Sequence, residues 1–231
     1  MTSKSPKRAF KEAIYGELAR ISKSLASPRR LELLDLLCQR PWTVEALSAE
    51  SHMSIANASQ HLKILRSARL VESRRKGLFV EYAVTSDEVI SMARAIRVVA
   101  EAQLAEFEQI TDRFTGNRDE FQSIDRVTLL RRLKDNAVVL LDVRPEDEYR
   151  HGHLAGARSI PIDRLEERLR ELPKNLTIVA YCRGPFCLFA SDAVRLLRER
   201  GYDALRYHEG VADWRAAGLA VISDNSPEVT N

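Results

Sequence analysis

Near Thr115 the hydrophobic periodicity of this chain changes, and that change limits its possible folds more than any other feature. Before it, apolar residues recur at spacings of three and four, the pattern of amphipathic helices. After it, short apolar runs at 138–143 and 176–181 alternate with helical stretches at 163–172 and 190–200. Such runs are typical of a parallel sheet buried between helices. The string Thr115-Gly-Asn-Arg-Asp-Glu120 is polar and aperiodic, so residues 115–121 read as a linker. A chain of 231 residues can hold two cores of ordinary size. The expected organisation is one domain over 1–114, a second over 122–222, and a polar flexible tail over 223–231.

Charge divides at a similar place. Residues 1–85 carry 15 Lys and Arg against 8 Asp and Glu, a balance of +7, whereas the remainder balances to −4. Only the first part is therefore expected to meet a polyanion. No apolar run approaches the ~20 residues that span a bilayer. The basic N-terminus, MTSKSPKRAF, lacks the apolar segment of a secretory signal. Three cysteines do not make a disulfide scaffold. A cytoplasmic protein with no membrane partner is expected.

In the first domain, a helical pattern from Lys11 to Ser24 precedes Ser27-Pro28, an N-cap followed by proline, which announces a helix with Leu31, Leu34, Leu37 and Cys38 inward. Residues 43–50 form a short helix, and Ser54 caps another that runs to Ala68. Two strands then flank Arg74-Arg-Lys-Gly77, a hairpin with a basic tip. Thr85 and Glu88 fit a capping box opening one long helix to about Phe114. Its stripe, Ile90, Ala93, Ile96–Arg97, Ala100, Leu104, Phe107 and Ile110, is broad enough to pack on a second copy. Helix, turn, helix and basic hairpin in this order give an α+β winged helix-turn-helix fold, mostly α with a β-hairpin wing. With Ile55, Ala58, Leu62 and Leu65 inward, Ala56, Asn57, Ser59, Gln60 and Lys63 face out. Asn and Gln pair bidentately with adenine in the major groove. Arg74, Arg75 and Lys76 supply phosphate contacts. The expected partner is a double-stranded DNA operator.

The string Ser59-Gln-His-Leu-Lys-Ile-Leu-Arg-Ser-Ala-Arg-Leu-Val71, with Ser27-Pro-Arg-Arg-Leu-Glu-Leu-Leu34 before it, closely resembles the signature of the ArsR family of repressors. The resemblance implies a homodimer built on the first and last helices and reading an inverted repeat. It also implies frequent metal sensing, from which this chain departs. The family's cysteine box falls on residues 43–48, which hold no cysteine, and residues 86–114 hold no histidine. Without such ligands no metal site and no cofactor are expected. Cys38 reads as a small core residue rather than a sensor, and His61 as a structural histidine.

In the second domain, Cys182 lies at the end of a buried strand, before a short loop and a helix. Loop N–H groups and the helix dipole favour the thiolate, which makes Cys182 a nucleophile. Arg183 adds a cation, and Gly184, Pro185 and Phe186 complete the loop before Cys187. Asp142-Val-Arg144, Glu148, Gly152-His153, Gly156-Ala157, Cys182, Gly210 and Trp214 together strongly resemble the rhodanese domain, an α/β fold with a central parallel sheet. The resemblance implies that Cys182 accepts sulfane sulfur as a persulfide, while Asp142, Arg144 and His153 brace the scaffold. Phosphatases and arsenate reductases on this fold need an arginine six residues after the cysteine, and here that residue is Leu188. Pro185 removes one N–H from the loop. Cys187 reads equally as a resolving thiol or as a small residue at the helix start.

The expected function is that of a transcriptional repressor sensing or transferring sulfane sulfur, from thiosulfate or a persulfide, through Cys182. The alternatives are a sulfurtransferase tethered to a DNA-binding module, and a second domain that only mediates protein contacts.

Overall fold

The computed structural model describes residues 5–115 and 123–224, which divide after Ala93 into two compact units. The first comprises α1 (Pro6–Leu25), α2 (Pro28–Gln39), β1 (Trp42–Thr43), α3 (Val44–Glu50), α4 (Ile55–Ser67), β2 (Val71–Lys76), β3 (Phe79–Val84) and the opening turns of α5 (Asp87–Gln103). Proline opens α1 and α2, where a missing N–H costs nothing. Thr43 Oγ1 accepts from Ala46 N at 3.3 Å and Ser54 Oγ from Asn57 N at 3.2 Å, fixing the starts of α3 and α4. Leu33, Leu34 and Leu37 of α2 are buried with Leu47 of α3 and Ala58, Leu62 and Leu65 of α4. The sheet is antiparallel in the order β1-β3-β2.

Four expectations for this unit are corrected. The hairpin turns at Gly77-Leu78, with Lys76 opposite Phe79 and Gly77 at φ +63°, so Arg74, Arg75 and Lys76 belong to the end of β2. Ile55 is half exposed, because it opens α4 before the helix reaches the core, and Leu31 is likewise exposed while Leu33 and Leu36 are buried. Thr85 does not cap α5: its hydroxyl donates to Arg69 O at 2.9 Å, and the helix begins at Asp87. A side-chain hydrogen bond from Ser86 instead holds the Glu88 carboxyl below its usual range. β1 had no counterpart in the sequence pattern; two residues are too few to show a period.

The second unit holds the remainder of α5, then α6 (Ala105–Thr115), α7 (Arg126–Lys134), β4 (Val138–Asp142), α8 (Glu146–His151), β5 (His153–Leu154), β6 (Arg158–Ser159), α9 (Ile162–Arg168) with a 3-10 turn at Leu169–Glu171, β7 (Thr177–Tyr181), α10 (Phe189–Glu199), β8 (Ala204–Arg206), α11 (Val211–Ala216) and β9 (Val221–Ile222). The expected single helix to Phe114 is two helices parted at Leu104. Leu104 N still reaches Ala100 O at 3.0 Å, but Phe107 N bonds three residues back, to Leu104 O, at 2.9 Å. A break of this kind keeps the three-and-four spacing, so periodicity could not show it. Linker residues 116–121 and tail residues 225–231 lie outside the described residues.

Strands β6-β4-β7-β8 form a parallel sheet, and β5 pairs antiparallel with β9. Alternation along the central strands sorts side chains to two faces. Val139, Leu141, Ile178 and Ala180 meet Leu165, Ala193, Val194 and Leu197 of α9 and α10. Val138, Leu140, Val179 and Tyr181 meet Leu129, Val211 and Trp214 of α7 and α11. Both faces are covered, as continuous apolar runs require. Among the described residues no helix is long and apolar enough to cross a membrane.

Candidate functional site

β7 delivers Cys182 to the carboxyl end of the sheet, the edge where open α/β folds place their chemistry. Cys182 is buried, Cys187 is partly exposed, and the two are joined as a disulfide with their Cα atoms 6.3 Å apart. Cys187 N donates to Gly184 O at 3.3 Å, and Arg206 Nη2 to Pro185 O at 2.8 Å. Gly184 has φ +151°, a conformation that disfavours any Cβ. Phe186 is half exposed, its ring 5.1 Å from that of Phe107. α10 starts at Phe189 with no side-chain cap.

Arg183, expected as the cation of the loop mouth, is almost wholly buried and bound to Glu148, at 2.6 Å from Nη2 and at 3.0 and 3.1 Å from Nε. Its charge is balanced there. Behind this pair lies a second one, with no exposure: Arg144 Nη2 to Asp142 Oδ2 at 2.6 Å and Nε to Oδ1 at 3.0 Å. Arg144 Nη2 also donates to Gly152 O at 2.8 Å, and the Tyr181 hydroxyl donates to Asp142 Oδ2. Burial opposes the charge on Arg144, but Asp142, together with Tyr181 and Glu148, outweighs it and raises its pKa. Burial and the Asp142 charge push the Tyr181 phenol well above its usual range, so it stays a donor. His153 stacks on Tyr149 with centroids 3.7 Å apart. Asp142, Arg144 and His153 therefore sit in the supporting framework.

On the far side of the loop, Gly210 packs against the Cys182–Arg183 peptide. A Cβ at Gly210 would overlap Arg183 O and come within 2.8 Å of Arg183 C and 3.1 Å of Cys182 O. Gly210 N donates to Asp213 Oδ2 at 3.1 Å. Asp213 Oδ1 accepts from Arg94 Nε at 2.8 Å and from Arg97 Nη2. Sequence reasoning missed this cluster, since more than a hundred residues separate its partners. A further missed group, Arg126 with Glu209 at 2.7 Å on both oxygens and Tyr207 on one, ties α7 to the segment before Gly210.

In the first unit, Ala56, Asn57, Gln60 and Lys63 are exposed on α4 and Ser59 is partly so. Arg74, Arg75 and Lys76 are exposed on β2, with Arg74 2.6 Å from Glu72 and Lys76 3.2 Å from Glu81. Arg66 Nη1 donates to Ser73 Oγ at 2.9 Å, tying α4 to the wing. Cys38 is buried, as a core residue would be.

A winged helix-turn-helix unit joined to a parallel-sheet unit with a cysteine loop at its strand ends defines a transcriptional regulator carrying a rhodanese-like domain. Residues 27–73 match the family described as bacterial regulatory protein, arsR family, and residues 125–217 match the rhodanese-like domain. The HTH-type transcriptional regulator Rv0324 of Mycobacterium tuberculosis is 41% identical over 211 residues, 91% of this chain and 92% of that one. The chain belongs to the ArsR family of regulators, with a rhodanese-like domain behind the DNA-binding one. A sulfurtransferase of Allochromatium vinosum is 30% identical over 102 residues, 43% of this chain and 94% of that one. The solution structure of the homodimeric winged helix-turn-helix DNA-binding domain Mb0332 of Mycobacterium bovis is 36% identical, covering 46% of this chain and 95% of that one at a TM-score of 0.41.

Proposed function

We propose that this chain is a homodimeric operator-binding repressor whose loop switches from dithiol to disulfide when Cys182 meets a sulfane-sulfur donor such as thiosulfate or a persulfide. The observation that carries this reading is the Cys182–Cys187 disulfide across the loop. The Cys182 thiolate attacks the outer sulfur of thiosulfate, forming one S–S bond and breaking another, whose electron pair leaves with sulfite. The Cys187 thiolate then attacks Cys182 Sγ of the protonated persulfide and expels hydrosulfide, leaving the disulfide. Cys182 is the nucleophile and Cys187 the resolving thiol. Gly184, Pro185 and Phe186 shape the loop, and Arg183 holds it to Glu148.

In this reading residues 1–114 bind DNA and dimerise, 115–121 link, 122–222 handle sulfur, and 223–231 form a tail. Exposed Phe10, Ile14 and Leu18 on α1, with Val99, Leu104 and Ile110 further on, support pairing with a second copy. Selection of operator DNA from a random pool by the reduced protein supplies the probe. Thiosulfate or polysulfide should then change operator affinity by about 5-fold or more, the scale of ordinary allosteric coupling. Cys182→Ser should abolish the response. Unchanged affinity while mass spectrometry shows the disulfide formed would sink the reading.

Similarity to a sulfurtransferase favours a second reading, in which Cys182 passes its sulfur to an external thiol. Steady-state transfer from thiosulfate to cyanide that accelerates in Cys187→Ser would support it, because a resolving thiol diverts the persulfide.

For the DNA contacts, Asn57→Ala or Gln60→Ala should lower operator affinity by about 5- to 100-fold while leaving binding to unrelated DNA unchanged. Lys76→Ala should weaken both and reduce the slope of log affinity against log salt by about 0.9. Anisotropy titrations over a salt series would read both effects.

A further inference from the structure

Besides Arg206 of β8, which donates to Pro185 O, positive charge reaches the sulfur loop from α5. Within the loop and its support, Arg183 is matched by Glu148 and Arg144 by Asp142. By contrast, Arg94 and Arg97 share the single carboxylate of Asp213, and both donate to the same oxygen, Oδ1. Two guanidiniums on one carboxylate leave one positive charge uncompensated within that group. The Arg97 side chain is 16% exposed, and its Nε is buried with no hydrogen-bond partner. A buried donor without an acceptor costs free energy unless something fills the role. Arg97 also lies against the loop: a Cβ on Gly184, two residues beyond Cys182, would come within 3.0 Å of Arg97 Nη1. The other end of the group reaches the loop through Gly210, which Asp213 holds against the Cys182–Arg183 peptide.

We infer that Arg97 is the anion-binding residue of the sulfur site, selecting sulfur donors that carry a terminal oxyanion, as thiosulfate does. This rests on the reading of Cys182 as the sulfur acceptor. The cation offsets the repulsion between the Cys182 thiolate and a dianionic donor, and its unused Nε–H is a hydrogen-bond donor for a sulfonate oxygen. The transfer balances as written above: the outer sulfur bonds to Cys182 Sγ, and sulfite leaves with the electron pair of the broken S–S bond. Arg97 remains charged throughout and exchanges part of its bond to Asp213 for the donor.

The test uses the full chain carrying Cys187→Ser, which traps the persulfide, reduced with a dithiol and desalted. Modification of Cys182 is timed by alkylation and mass spectrometry with two probes: thiosulfate, which leaves a persulfide and releases sulfite, and the uncharged diallyl trisulfide, which leaves an S-allyl disulfide and releases allyl hydropersulfide. Adding Arg97→Gln should slow the reaction with thiosulfate by about 10-fold or more, the scale of a charge-assisted hydrogen bond, and change that with the trisulfide by less than about 2-fold. Arg97→Lys should recover part of the thiosulfate rate. An equal loss with both probes assigns Arg97 a structural role and overturns the inference, as does no loss with either. Absence of a Cys182 persulfide from thiosulfate in the protein with Arg97 intact is a separate result, and it overturns the sulfur-acceptor reading itself.

Discussion

Replacing Asp142 by Ala should lower the unfolding free energy of the second unit by about 3–5 kcal/mol, the scale for breaking a buried ion pair by removing one partner. Arg144 has no exposed surface, and the next carboxylate, Glu148, stands 3.9 Å away and is already bonded to Arg183. The guanidinium cannot shed its proton in any accessible pH range, so it would remain as an uncompensated charge. Tyr181 would lose its acceptor in the same stroke, although its hydroxyl still receives Leu154 N at 3.1 Å. Urea unfolding of the full chain, followed by tryptophan fluorescence, reads the effect. Trp42 reports on the first unit and Trp214 on the second, so only the transition seen by Trp214 should move. A loss below about 1 kcal/mol would show that Glu148 takes over as the partner of Arg144.

A second large effect is expected at Gly210. Its backbone, at φ −112° and ψ −169°, is open to any residue, so the demand for glycine is one of space alone. A methyl group there would collide with the Cys182–Arg183 peptide, and neither side of that contact is a flexible side chain. Gly210→Ala should cost about 1–3 kcal/mol, typical of overpacking. Displacement of the cysteine loop should also change the alkylation rate of reduced Cys182 by about 10-fold. Arg126→Met, which releases Glu209 nearby without adding bulk, separates the two effects: stability should fall while the alkylation rate holds. A Gly210→Ala protein with both properties intact would show that α11 shifts to make room.

Where side chains near in sequence decide the structure, the sequence was legible. Thr43 and Ser54 mark the helix starts they cap. The central strands are read from their apolar runs, and the sheet then sorts alternate residues to the two cores. Cys182 and Cys187 follow from strand, loop and helix in succession. What escaped has physical reasons. Leu104 interrupts a helix without disturbing its stripe. Arg74 and Arg75 extend β2 because a glycine at positive φ sets the turn later. Arg183 is basic and adjacent to Cys182, yet its partner, Glu148, is 35 residues away and decides what the charge does. Arg97 reads from sequence only as one position of the helix stripe, and only the folded chain brings it to Gly184 and Asp213.

Only four residues lie between the two cysteines that the disulfide joins. In the proposed reading, once Cys182 carries its persulfide, attack by Cys187 needs no second molecule and no meeting of distant segments, so that resolving step is first-order. Its half-time is then independent of dilution, and a cell holding a handful of copies closes the ring as fast as one holding thousands. The reverse step differs, since an outside thiol must reach a bond of which one sulfur is buried. Set by protein geometry in one direction and by the reductant's concentration and access in the other, the two rates can be tuned separately by mutation.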